Sequence, residues 1–261
     1  MNRLPPLVQQ VSSSASPVAS EPPVAVEFGR MQRGSRHAVP HALFVPMHYE
    51  PNYAYPLLVW LHGPGDDERQ LQRIMPLVSL RNYVAIGPRA TASMPGRAGS
   101  DWSQEEADID AAEAAVFSCI DLVTERFSVA PRRVFLAGFG TGGTMAFRLG
   151  LRHPQIFAGA LSLGGSFPCG QMPLARLSAA RKLPLFIAHG RDAENYSVEQ
   201  SCDELRLFHS AGLSVTLRQY PCGEELTTNM LSDMDRWIME LVTGIEQSSV
   251  PEEPSFGNEH N

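Results

Sequence analysis

Apolar positions along the chain fall into short segments whose spacing switches between strand and helix periods. Val24–Phe28 and His41–Met47 read as two opening strands. Pro56–Leu61 is apolar throughout, as expected of a strand buried on both faces. Helical spacing follows over Glu68–Leu80, then a strand at Tyr83–Ile86. Ser103 and Glu106 have capping-box spacing ahead of a long apolar-periodic helix that runs to about Phe127. Arg133–Ala137 reads as a strand, Gly143–His153 as a helix closed by Pro154, and Ala158–Leu163 as a strand. A strand at Pro184–Ala188, a helix at Val198–Ala211, a strand at Val215–Tyr220 and a helix from Glu225 to Val242 complete the pattern.

Strands and helices that alternate in this way predict an α/β fold: a doubly wound, mostly parallel sheet with helices on both faces. Ligands of such sheets sit beyond the carboxyl ends of the strands. The ends of the chain have a different character. Residues 1–23 are rich in Ser, Pro, Ala and Gln without apolar period, and residues 246–261 are acidic and hold no Lys or Arg. The reading is therefore one domain over 24–245 between two disordered tails. The tails are expected to be solvated extensions, although either could recruit a partner.

Composition narrows the partners. The chain has 261 residues, 43% of them hydrophobic and 19% charged. The net charge of −7 counts against nucleic acid and anionic membrane. Four of the excess negative charges come from Glu246, Glu252, Glu253 and Glu259 in the C-terminal tail. No apolar run is long enough for a membrane span, and no signal peptide is read at the N-terminus. Cys119, Cys169, Cys202 and Cys222 are scattered without metal-ligand spacing, the usage of reduced thiols in a cytoplasmic protein, although one disulfide remains open.

The candidate chemistry centres on Leu136-Ala137-Gly138-Phe139-Gly140-Thr141-Gly142-Gly143. This strand-to-helix stretch has the layout of a nucleophile elbow, G-x-S-x-G, with glycine at the apex. Three further loops follow strands: Leu61-His62-Gly63-Pro64-Gly65-Asp66, Ala188-His189-Gly190-Arg191-Asp192-Ala193 and Tyr220-Pro221-Cys222-Gly223-Glu224-Glu225. In order and spacing the four resemble the oxyanion, elbow, acid and histidine loops of the α/β-hydrolase fold. The match is to its phospholipase/carboxylesterase (acyl-protein thioesterase-like) family, over about residues 38–243.

The resemblance implies a Ser-His-Asp triad and fails at each of its positions. Serine chemistry needs a hydroxyl, an imidazole to take its proton and a carboxylate to orient the imidazole. The family's positions fall on Gly140, Ala193 and Glu224. The oxyanion loop places Pro64 where a backbone N–H donor is expected, and proline has none. Thr141 still supplies the other N–H, and Gly142, His62, Gly63 and Asp192 complete the expected pocket region. The implied protein is a pseudo-hydrolase that binds a small molecule or a protein at the strand-end pocket, with no cofactor. The alternative is a carboxylesterase or thioesterase with a rewired nucleophile at Ser166, Cys169 or Cys222 and a displaced acid or base at Asp192 or Glu224.

Two further motifs lack the spacing that would complete them. His189, Asp192, Glu194 and Glu224 have ligand chemistry but no metal signature, so no metal is expected. Gly138, Gly140 and Gly143 spell G-x-G-x-x-G, yet Leu161–Ser166 lacks the acidic residue that would hold a ribose. What remains is a glycine-lined helix start with free N–H groups, opposed as an anion site by Glu224.

Overall fold

The computed structural model describes residues 26–30, 39–93 and 99–244. Both expected tails lie outside these residues. The strands are β1 (Val26–Arg30), β2 (Pro40–Phe44), β3 (Tyr55–Leu61), β4 (Val84–Pro88), β5 (Ala92–Ser93), β6 (Ser100–Asp101), β7 (Val129–Phe139), β8 (Gly159–Leu163), β9 (Leu185–Gly190) and β10 (Val215–Tyr220). The helices are α1 (Gln70–Val78), α2 (Glu106–Arg126), α3 (Thr141–Arg152), α4 (Leu177–Ala180), α5 (Val198–Ala211) and α6 (Thr228–Thr243). One sheet has the order β1-β2-β4-β3-β7-β8-β9-β10. β1 with β2 and β2 with β4 pair antiparallel, and every other neighbour in this sheet is parallel. β5 and β6 form a small separate hairpin.

The period-two alternation of the strands divides the core into two layers. Leu57, Val59 and Leu61 of β3 face one layer with Ile109, Val116 and Val123 of α2, Met145 and Leu149 of α3, and Phe208 of α5. Leu58 and Trp60 face the other, with Leu71, Ile74 and Met75 of α1 and Met234, Trp237 and Ile238 of α6. β3, β4, β8 and β9 are buried along their whole length. That is why these strands read as continuous apolar runs. Among the described residues no helix is long and apolar enough to cross a membrane.

Several boundaries differ from expectation. α2 starts at Glu106 with Glu105 as its cap, and the Ser103 hydroxyl accepts the Glu105 N–H at 3.1 Å. The Ser-x-x-Glu spacing is therefore a local turn before the helix, not a capping box. α3 begins two residues earlier than expected, because the chain enters the helix directly from the turn at Gly140. α6 begins at Thr228, since Thr227 caps it by accepting the Met230 N–H at 3.3 Å. The β5–β6 hairpin and the four-residue α4 have too few residues to show a period.

α6 is tied to the sheet by polar contacts as well as packing. The Tyr83 ring is fully buried, and its hydroxyl donates to Asp235 Oδ1 at 2.6 Å. Asn82 Nδ2 donates to the same oxygen at 3.2 Å. Tyr83→Phe keeps the ring and removes one hydrogen bond to a carboxylate, a loss of about 1.5–3 kcal/mol. Urea unfolding should show a lower midpoint with an unchanged slope. An unchanged midpoint would mean that the contact contributes nothing to stability.

Candidate active site

Gly140 turns the chain from β7 into α3 with φ 54° and ψ −122°. This is backbone that L side chains rarely adopt. Its N–H donates to Leu163 O at 2.9 Å, and its carbonyl accepts from Thr144 N at 3.0 Å. The turn is held by close backbone approach. A Cβ at Gly138 would run into the Gly142 carbonyl, and one at Gly142 into the carbonyls of Leu61 and His62. The first turn of α3 therefore rests on the ends of β7 and β3, with its free N–H groups at the strand-end edge.

A cavity of about 310 Å³ opens above this turn. Pro64, Gly140, Thr141, Ser166, Tyr196 and Glu224 are among its walls. A Cβ built on Gly140 would stand 2.9 Å from Pro64 Cδ. That is closer than Cβ atoms approach, so a side chain at the apex requires the pyrrolidine ring or the turn to shift. The Thr141 hydroxyl does not face a ligand freely, because it donates to Asp101 Oδ1 at 2.5 Å. Among the described residues that line it, Glu224 carries the only formal charge. Its Oε1 accepts the Asn195 N–H at 2.6 Å, which joins the loops after β9 and β10.

Of the residues singled out from sequence, Gly140, Pro64, Thr141 and Glu224 come together at this cavity. Ala193 and Asp192 do not line it, and Asp192 is largely exposed beside Arg191. His62, Gly63 and Gly142 lie behind the wall. His62 is buried: its Nε2 accepts the Ala90 N–H at 3.0 Å, and its Nδ1 lies 2.8 Å from Gly63 O. These partners fix a neutral ring that donates from Nδ1. Its carbonyl accepts from Trp102 Nε1 at 2.9 Å. His189 is also fully buried, with Nε2 2.8 Å from Tyr196 O. Gln70 fastens the loop after β3, accepting from Gly63 N at 3.1 Å and from Trp60 Nε1 at 2.8 Å.

The alternative nucleophiles separate by position. Ser166 lines the cavity, and its carbonyl accepts from the Thr144 hydroxyl at 2.9 Å. Cys222 is buried in the α1/α6 layer, and burial together with Glu225 and Asp192 pushes its thiol up, away from thiolate. Cys169 is exposed outside the cavity. All four cysteines are free thiols. Among the described residues no group of three His, Cys, Asp or Glu side chains is placed to hold a metal. Sequence reasoning missed Asn195, Tyr196, Phe139 and Thr144 as lining residues. The signal for the first two was their place two and three residues past Ala193, in a loop already known to follow a strand.

A mostly parallel sheet with helices on both faces, and a sharp glycine turn feeding a helix at its carboxyl edge, define an α/β-hydrolase fold. Residues 50–242 match the family model described as phospholipase/carboxylesterase, and the chain belongs to that family. NocK of Nocardia uniformis subsp. tsuyamanensis, which carries the name of an esterase, is 30% identical over 200 residues. That match takes in 73% of this chain and 52% of NocK, so the chain spans about half the length of that relative. The carboxylesterase SOBER1 of Arabidopsis thaliana is 23% identical over 72% of this chain and 91% of its own. Its crystal structure superposes with a TM-score of 0.61 at 22% identity, over 72% of this chain and all of that one. A carboxylesterase structure from Mesorhizobium loti gives a TM-score of 0.64 at 20% identity, over 77% of this chain and 94% of that one.

The buried histidine loop makes stability depend on pH. Burial holds His62 below its usual 6.5, partly offset by its bond to Gly63 O, and burial lowers His41 as well. The unfolded chain therefore takes up protons that the fold refuses. The contribution is complete above pH 6.5 and is lost as pH falls through the folded pKa. At Asp66 burial acts upward, but bonds from Arg73 and the Asp67 N–H outweigh it and hold the carboxyl below 3.8, so a further loss follows in stronger acid. Thermal midpoints should fall between pH 7.5 and 5.5. His62→Gln should be less stable at pH 7.5 and show a shallower decline. Parallel declines for the two proteins would rule out His62 as a source.

Proposed function

We propose that this chain is a pseudo-hydrolase of the phospholipase/carboxylesterase family, which binds a small ligand at the cavity above Gly140 without serine-hydrolase turnover. In this reading Gly140, Ala193 and Glu224 stand where the family carries its serine, acid and histidine. The observation that carries it is the contact at the apex. There is no hydroxyl at Gly140, and Pro64 Cδ lies 2.9 Å from the place where even a Cβ would be. Pro64 also withholds an N–H from the place where a transition-state oxyanion would need one. A glutamate fixed to the Asn195 N–H supports the reading further, since it holds a negative charge where an imidazole would have to shuttle protons. The regular core and the side-chain caps of α5 and α6 fit a binding role better than a fold in decay.

The chain should hydrolyse short-chain p-nitrophenyl esters no faster than its denatured control and resist labelling by a fluorophosphonate probe. Turnover that disappears on denaturation would overturn the proposal. A second reading, an esterase with Ser166 as nucleophile, draws on the position of that residue in the same cavity as Glu224. It requires an activity that Ser166→Ala abolishes.

Rebuilding the site offers a stricter test. Gly140→Ser alone should cost about 1–3 kcal/mol of stability, through strained backbone and the clash with Pro64. The combination Gly140→Ser, Ala193→Asp and Glu224→His should stay inert while Pro64 remains. Adding Pro64→Ala restores a possible N–H donor and should raise hydrolysis by about 10²-fold over the triple variant. Equal rates with and without Pro64 would remove the proline from the argument.

A further inference from the structure

A second cavity lies farther along α3. It has a volume of about 270 Å³ and sits among the first turn of α2, the later turns of α3 and residues 171–176. Arg148, Arg152, Arg176, Glu106 and Met172 are among its walls.

Arg148 is only 3% exposed. Its Nε donates to Gln104 Oε1 at 2.6 Å, its Nη2 to Cys169 O at 2.6 Å and its Nη1 to Gly170 O at 3.1 Å. All three acceptors are neutral, and among the described residues no carboxylate pairs with it. Buried charges in folded proteins are ordinarily paired, because desolvation of a lone ion is expensive. The guanidinium has five N–H groups, so donors remain.

The surroundings add donors more than acceptors. Arg176, exposed at the mouth, donates to Arg152 O at 2.8 Å and has no carboxylate partner among the described residues. Arg152 is already neutralised by Asp110 and Glu113. Gln104 Nε2 is buried without an acceptor. The first turn of α2, whose cap residue Glu105 makes no side-chain cap bond, contributes Glu106 and Ile109 to the wall. Glu106 is the one acidic side chain there. Arg148 and Arg176 are thus the two guanidinium groups of this cavity for which the structure records no carboxylate pairing among the described residues.

We propose that this cavity binds a compact oxyanion, the carboxylate or phosphate group of a small molecule, held by Arg148 at its base and Arg176 at its mouth. Planar guanidinium forks suit both groups. The site is separate from the cavity above Gly140 but shares a loop with it. Thr144 holds the Ser166 carbonyl and Arg148 holds those of Cys169 and Gly170, and the two anchors lie one helical turn apart.

The test is calorimetric titration of the full chain with inorganic phosphate and with acetate, chloride holding the ionic strength constant. At least one should bind saturably, and the tighter of the two assigns the group. Arg176→Gln should weaken that binding at least about tenfold, whereas Arg206→Gln, on the exposed face of α5, should leave it within about twofold of wild type. Arg148→Met, if its circular dichroism matches wild type, should abolish binding; if it does not fold, the Arg176 arm decides. Saturable binding of neither anion overturns the proposal, as does equal weakening in the Arg176 and Arg206 variants. So does phosphate binding that Glu224→Gln strengthens and Arg176→Gln leaves alone, since that would place the anion above Gly140.

Discussion

The close backbone approach at the start of α3 is the constraint on which the site depends. Glycines at 138, 142 and 143 let the helix rest against the ends of β7, β3 and β8 with no side chain between them. A Cβ at Gly143 would meet the Ser162 hydroxyl, just as one at Gly142 would meet the carbonyls of Leu61 and His62. The helix axis, its N-terminal N–H groups and the reversal at Gly140 are thereby set together. Everything that lines the cavity is placed relative to that contact.

Around it, the loops differ in how firmly they are held. The loop after β3 is bound on several sides by His62, Gln70 and Trp102, all through buried hydrogen bonds. Arg73 and Arg89 pair with Asp66 and Glu68 at its far side. The loop after β9 has a firm half and an open half. His189 and Tyr196 anchor it, and the Tyr196 hydroxyl donates to Glu204 at 2.6 Å, while Asp192 stands in solvent.

The architecture was legible in the sequence because β3, β4, β8 and β9 are buried on both faces, and Pro56–Leu61 and Ala158–Leu163 read as strands of that kind. The elbow was legible through its glycines, which only a crowded turn requires. The start of α2 was not, because Ser103 and Glu106 satisfy a capping pattern that the chain uses instead for a turn ending at Glu105. Membership of the cavity was half legible. Strand-end loops could be identified, but which side chain of each points inward depends on loop conformation that has no period. Thus Asp192 turned outward while Asn195 and Tyr196, in the same loop, turned in. The buried guanidinium of Arg148 gave no sequence signal, since an arginine in a helix reads as a solvated position.

Pro64 and Gly140 also constrain one another over time. Each accepts the other: the ring fits because the apex is bare, and the bare apex leaves a space that the ring fills. A hydroxyl acquired at position 140 while Pro64 persists meets a steric barrier before it meets a substrate. A replacement at position 64 alone removes packing and supplies no nucleophile. On the reading proposed above, a side chain at position 140 would need a change at position 64 as well.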